Sequence, residues 1–192
     1  LWEPWEILKN DGTPYKVFTP FYKNGCLGKA PPRIILPKPN KIQYAKNVIN
    51  NKEFNIVKRN KNNWQKNILS NALVGEKKAL ERLEFFIQNG LKDYKEGRNF
   101  PSQDNVSRLA PNLHFGEISP NQIWHKILKL QNNENITHFL SELGWREFSN
   151  HLLYHFPHFV SENLQSKFND FPWVNDENAL EKWRRGMTGI PL

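Results

Sequence analysis

From Gly75 onward the apolar positions recur at helical intervals. Ala79, Leu80, Leu83, Phe86 and Ile87 fall three and four residues apart, and Asn89-Gly90 supplies a stop. Ser119-Pro120 predicts a second helix, an N-cap followed by proline at the first helical position, with Ile123, Trp124, Ile127 and Leu128 turned inward. A third helix is expected from about Ile136 to His155, limited by Pro157. A last one is expected from about Glu177 to Arg185, with Ala179, Leu180 and Trp183 on one face and Gly186 after it. No run of alternating strands interrupts this pattern, so residues 73–192 read as mainly α.

The first 72 residues follow a different pattern. Trp5 to Leu8 and Tyr15 to Phe18 are short apolar segments around Asn10-Asp11-Gly12, which predicts a hairpin or the end of a strand. Beyond Phe21 no period is sustained. Pro31, Pro32, Pro37 and Pro39 punctuate a stretch rich in Lys and Asn, which reads as a long connector and places a domain boundary between residues 25 and 72.

Composition and charge narrow the function classes. The net charge of +8 lies wholly in residues 1–72, where 13 Lys and Arg face 4 acids, whereas 14 face 15 in residues 73–192. With 19 Lys beside 8 Arg, and 25 Asn, the excess also fits a coding bias, so charge alone is a weak pointer to nucleic acid. No apolar run reaches the roughly 18 residues of a membrane span, and LWEPWEILKN lacks the order of a signal peptide. The single Cys26 rules out an internal disulfide and fits a cytoplasmic protein. The lone methionine is Met187, so Leu1 is not an initiator and a preceding segment is expected to have been removed.

Common enzyme signatures, including G-x-x-x-x-G-K-[ST], G-x-S-x-G, H-E-x-x-H and paired C-x-x-C, are not present. His151, His155 and His158 have ligand-like spacing, but Pro157 interrupts it, and structural or surface histidines are the expected reading, with no metal site. The loop from Arg98 through Val106, Ser107, Arg108, Leu109 and Ala110 carries an arginine and a serine that can cradle phosphate. Taken alone, it reads more readily as an ordinary polar connector. The third helix sets Phe139, Glu142 and Arg146 on one stripe with Trp145 and Phe148 beside it. Glu142 and Arg146 are spaced for a helix ion pair worth about 0.3 to 0.5 kcal/mol; the alternative is that charges among rings await a ligand.

Five segments, DGTPYKVFTPFYKNG (11–25), GRNFP (97–101), SRLAPNLHFGEISP (107–120), ELGWREF (142–148) and KWRRGMTGIPL (182–192), together resemble the DNA photolyase and cryptochrome family in order and spacing. The resemblance covers nearly the whole chain and is nearest to the cyclobutane pyrimidine dimer photolyases. It implies that residues 1–24 end an N-terminal α/β antenna domain, that 25–72 link two domains, and that 73–192 begin the helical FAD-binding domain. The chain is thereby expected to be an internal piece of a photolyase, inactive alone, with apolar faces that include Leu143, Trp145 and Trp183 left without cover.

By position, the resemblance makes Tyr94, Val106, Ser107, Arg108, Leu109, Ala110, Phe139 and Arg146 FAD-contacting. Val106 and Ala110 depart from the hydroxyl residues usual there, which shifts the work to Ser107 and backbone amides. Arg98, Glu142, Trp145, Arg146 and Ser149 fall where the family meets DNA or the dimer, and Trp173 resembles the outermost tryptophan of the electron-transfer chain. Glu142 stands where dimer photolyases carry an acid and 6-4 photolyases and animal cryptochromes generally carry Gln. The implied activity is light-driven dimer repair by electron transfer from reduced FAD, with Glu142 stabilising charge on the bases. A cryptochrome-like blue-light photoreceptor is the alternative. The implied partners are UV-damaged DNA and a second chromophore, folate or deazaflavin, in an N-terminal domain; the protein is expected to be a monomer without membrane association.

Overall fold

The computed structural model describes residues 1–29, 31–43, 67–68 and 72–190. Much of the expected connector at 25–72 lies outside the described residues. The described chain is helical: α1 (Phe18–Pro20), α2 (Glu76–Asn89), α3 (Tyr94–Gly97), α4 (Ala110–His114), α5 (Pro120–Ile127), α6 (Glu134–His155) and α7 (Glu177–Arg184). No strand occurs among the described residues. The expected hairpin reduces to a single antiparallel bridge, Leu8 to Pro14, closed by Lys9 N–H donating to Thr13 O at 3.0 Å. Pro14 has no N–H with which to extend the ladder, and Phe18 already begins a helical turn that passes into a π-helical one, Phe21–Cys26.

The chain divides into two compact units, Leu1–Leu152 and Leu153–Leu192. The first holds the core. Phe86, Tyr94 and Phe139 form one aromatic cluster, with Phe86 and Phe139 4.8 Å apart. Phe21, Phe148 and His151 form another, and the fully buried His151 ring lies 4.8 Å from Phe21. The second unit has no buried residue among those described, and Trp183 is 69% exposed.

Local chemistry explains the helix ends. Ser119 Oγ accepts from Gln122 N at 3.1 Å while Gln122 Oε1 accepts from Ser119 N at 2.7 Å, a reciprocal capping box. Asp176 caps α7 through two backbone N–H groups, and Gly186 follows with φ 69°. One inward assignment, that of Leu128, is corrected. Leu128 is 52% exposed because it is the C-cap of α5, and Leu80 is 45% exposed at the margin of the α2 stripe. Leu143, expected to lack cover, is 5% exposed in the first unit's core.

Asparagine, read from composition as a coding bias, also does structural work. Asn112 is buried and its Nδ2 donates to Leu73 O and to Glu117 Oε2. Asn135 Oδ1 accepts from Lys95 N at 2.8 Å, tying the start of α6 to α3. The bonds to Leu73 O and from Lys95 N satisfy backbone groups that loops would otherwise leave unpaired.

Candidate functional site

Segments far apart in sequence converge on a cleft of about 520 Å³ in the first unit. Tyr94 comes from α3, Ser107 and Ala110 from the entry to α4, and Phe139, Glu142 and Arg146 from α6. The α6 residues share the cleft because spacings of three and four lie on one helical face. Tyr94 and Phe139 meet perpendicularly at 5.2 Å and give an apolar wall. Arg146 donates from Nη1 to Glu147 Oε1 at 2.6 Å, one bond from a five-donor fork, so the half-exposed guanidinium retains capacity for an anion.

The Glu142–Arg146 ion pair, one of the two readings their spacing allowed, does not form. Glu142 pairs instead with Arg98, and His138 Nε2 stands 3.8 Å from the same carboxylate oxygen. Arg98 Nη1 also meets His138 Nε2 at 3.3 Å, and its guanidinium lies 5.4 Å from the Tyr94 ring centre. The two partners are each about one-third exposed, so their attraction is less screened than that of two side chains on an open helix face. The bond to Glu142 raises the Arg98 pKa above its ordinary value. Burial raises the Tyr94 phenol, with the Arg98 charge opposing.

Trp145 is not among the residues lining the cleft. Its ring stacks on Phe18 with centres 3.7 Å apart and planes within 10°, while 45% of the residue stays exposed. Ser149 Oγ donates to Trp145 O at 3.0 Å. In the loop, Leu109 is buried in the core, Arg108 adopts φ 55° and pairs with Asp104 at 3.2 Å, and Val106 offers its carbonyl to Arg82.

A family described as the FAD binding domain of DNA photolyase matches residues 139–192. A deoxyribodipyrimidine photo-lyase from Agrobacterium fabrum is 36% identical over all of this chain and 41% of its own length. A crystal structure of a bacterial class III photolyase from Agrobacterium tumefaciens superposes with a TM-score of 0.77 at 35% identity, covering 98% of this chain and 40% of that one. The chain belongs to the DNA photolyase and cryptochrome family. Cryptochrome-1 of Arabidopsis thaliana is 30% identical over the whole chain and 30% of its own length. The chain thus spans about two-fifths of the photolyase relatives.

Within this photolyase-family chain the cleft also takes in Leu113, His114 and Asn150, which were not anticipated. Asn150 is four residues beyond Arg146, so the helical period already carried that signal. His138 is likewise four residues before Glu142. Phe18 and Arg82 act through tertiary contacts and had no such signal. Trp173 lies in the second unit, 66% exposed, its Nε1 donating to Phe168 O at 3.0 Å. The histidine series breaks up: His151 is a core residue, α6 ends at His155, and Pro157 opens a 3-10 turn. No helix among the described residues is long and apolar enough to cross a membrane.

The loop's anchor is sensitive to acid. The Arg82 guanidinium holds Asp104 below the ordinary carboxylate pKa. A depressed folded-state pKa stabilises the fold above the unfolded value of about 3.9, and that contribution is lost as pH falls through the folded value. The melting temperature is expected to hold at pH 6 and to fall as the pH drops below about 4. An Asp104→Asn variant should flatten this profile.

Proposed function

We propose that the whole protein carrying this chain binds FAD and uses light to split cyclobutane pyrimidine dimers in DNA. The observation that carries this reading is Glu142, an acid on the cleft-lining stripe of α6 whose carboxylate is fixed by Arg98. The cleft suits a flavin dinucleotide, with aromatic walls at Tyr94 and Phe139, and with Arg146, Ser107 and Asn150 as polar groups for its phosphate and ribitol portions. When bound, reduced FAD supplies an electron to the dimer on light absorption and recovers it once the ring has opened.

The chain's own residues bind and orient. Arg146 and the backbone between Val106 and Ala110 hold the cofactor, and the open face of Trp145 stacks on a base extruded from the duplex. Glu142 presents its carboxyl group to the damaged bases, while Arg98 holds it in place and reaches toward the strand together with Ser149. Trp173, an exposed indole, takes the outer place in an electron-transfer chain. Residues 1–24 close an α/β domain that carries a folate or deazaflavin antenna, 25–72 link the domains, and 73–192 open the helical one. The protein works as a cytoplasmic monomer on UV-damaged DNA.

Glu142→Ala is expected to lower repair per absorbed photon more than affinity, because the carboxyl group acts on charge that develops during reaction. Quantum yield and dissociation constant, measured separately on dimer-containing oligonucleotides, check this. Equal losses would reduce Glu142 to a substrate-positioning group. The likeness to a plant cryptochrome supports a second reading, blue-light signalling; a protein that holds flavin but leaves dimers intact in light would favour it.

A further inference from the structure

The loop ahead of α4 is gripped from behind by one side chain. Arg82, on α2 and 10% exposed, donates from Nε to Ser107 O at 2.9 Å and from Nη2 to Val106 O at 2.8 Å. The same guanidinium takes Asp104 in a forked pair, Nη2 to Oδ1 at 2.9 Å and Nη1 to Oδ2 at 3.3 Å. Its plane is braced over the Phe85 ring, 5.0 Å from the centre. Arg82 does not line the cleft, whereas Ser107 does.

We propose that Arg82 is a positioning residue that sets the aim of the 104–110 loop, and through it the affinity for the phosphate-bearing part of a flavin dinucleotide. This rests on the FAD-binding reading above. In a planar trans peptide the N–H points opposite to the C=O. With the Val106 and Ser107 carbonyls drawn to Arg82, the N–H groups of Ser107 and Arg108 point away from the clamp. Arg108 then adopts φ 55°, a conformation that costs energy for a non-glycine residue. A left-handed residue after a fixed peptide brings successive amides into the concave arrangement that receives anions.

Neither Lys nor Gln can replace the fork. Lysine is a point charge without a fixed plane, and a glutamine amide has too few donors for four acceptor oxygens. Arg82 differs from a residue that merely stabilises α2, because its effect should fall on phosphate recognition and spare the ring-binding wall at Tyr94 and Phe139.

The test uses the whole protein stripped of cofactor, titrated with FAD and, separately, with riboflavin, which lacks phosphate. Arg82→Gln is expected to weaken FAD binding by roughly tenfold to a hundredfold and riboflavin binding by less than about twofold. Arg82→Lys should recover little of the FAD affinity. Asp104→Ala, which cuts the clamp from its exposed side and spares the core, should show a smaller loss in the same direction and keeps the test valid if the Arg82 variants fold poorly. Equal losses for FAD and riboflavin, or no loss for either, would overturn the proposal and leave the FAD reading standing. A wild-type protein that takes up no FAD would instead overturn the reading on which the proposal rests.

Discussion

In the whole protein, Trp145→Ala is expected to lower the preference for dimer-containing over undamaged DNA by roughly five- to 150-fold while leaving flavin content unchanged. The range follows from base stacking on an aromatic platform, worth about 1 to 3 kcal/mol per base. Trp145 offers such a platform because one ring face lies against Phe18 and much of the residue is exposed. Flavin content should hold because Trp145 is not among the residues lining the cleft. Trp145→Phe keeps a ring of smaller area and should fall between the two. Competition binding with damaged and undamaged duplexes measures the preference directly, and an unaltered preference in Trp145→Ala would remove stacking from the account.

Gly144→Val should lower stability by about 1 to 3 kcal/mol, the cost of overpacking a well-filled core. A Cβ at Gly144 would lie 2.5 Å from Tyr22 Cδ2 and 2.6 Å from Cε2. The Tyr22 ring is 7% exposed and stacks against Phe18 at 5.5 Å, so it has little room to yield. Burial also pushes its phenol up to about 12, with Cys26 adding to the shift. A melting temperature lower by roughly 2 to 12 °C is expected for a chain of this size. Combining the change with Tyr22→Leu should recover part of the loss. No change in melting would mean that α6 can move away from the π-helical turn at little cost.

These contacts show which parts of the structure could be read from sequence. α2, α5, α6 and α7 were legible because an apolar period and local stop or cap residues specify each without reference to distant chain. The α6 stripe of Phe139, Glu142 and Arg146 was legible for the same reason. Which partner Glu142 takes was not, because Arg98 lies in a different segment and competes with the helix neighbour only after folding. The Phe18 stack on Trp145 joins residues more than a hundred positions apart, and Arg82 reaches carbonyls that no side-chain pattern encodes. The predicted hairpin or strand end shrank to one antiparallel bridge because its turn signal was real while Pro14 and the early helical turn at Phe18 stopped the ladder.

Loss of cyclobutane dimers from a UV-irradiated oligonucleotide, followed with the whole protein in its reduced flavin form under blue light and in the dark, is the decisive measurement of repair. Dimers should be lost in light alone, with intact pyrimidines restored and the yield reduced by Glu142→Ala. A flavin-bearing protein that binds the damaged strand and leaves its dimers unchanged under light would contradict that expectation.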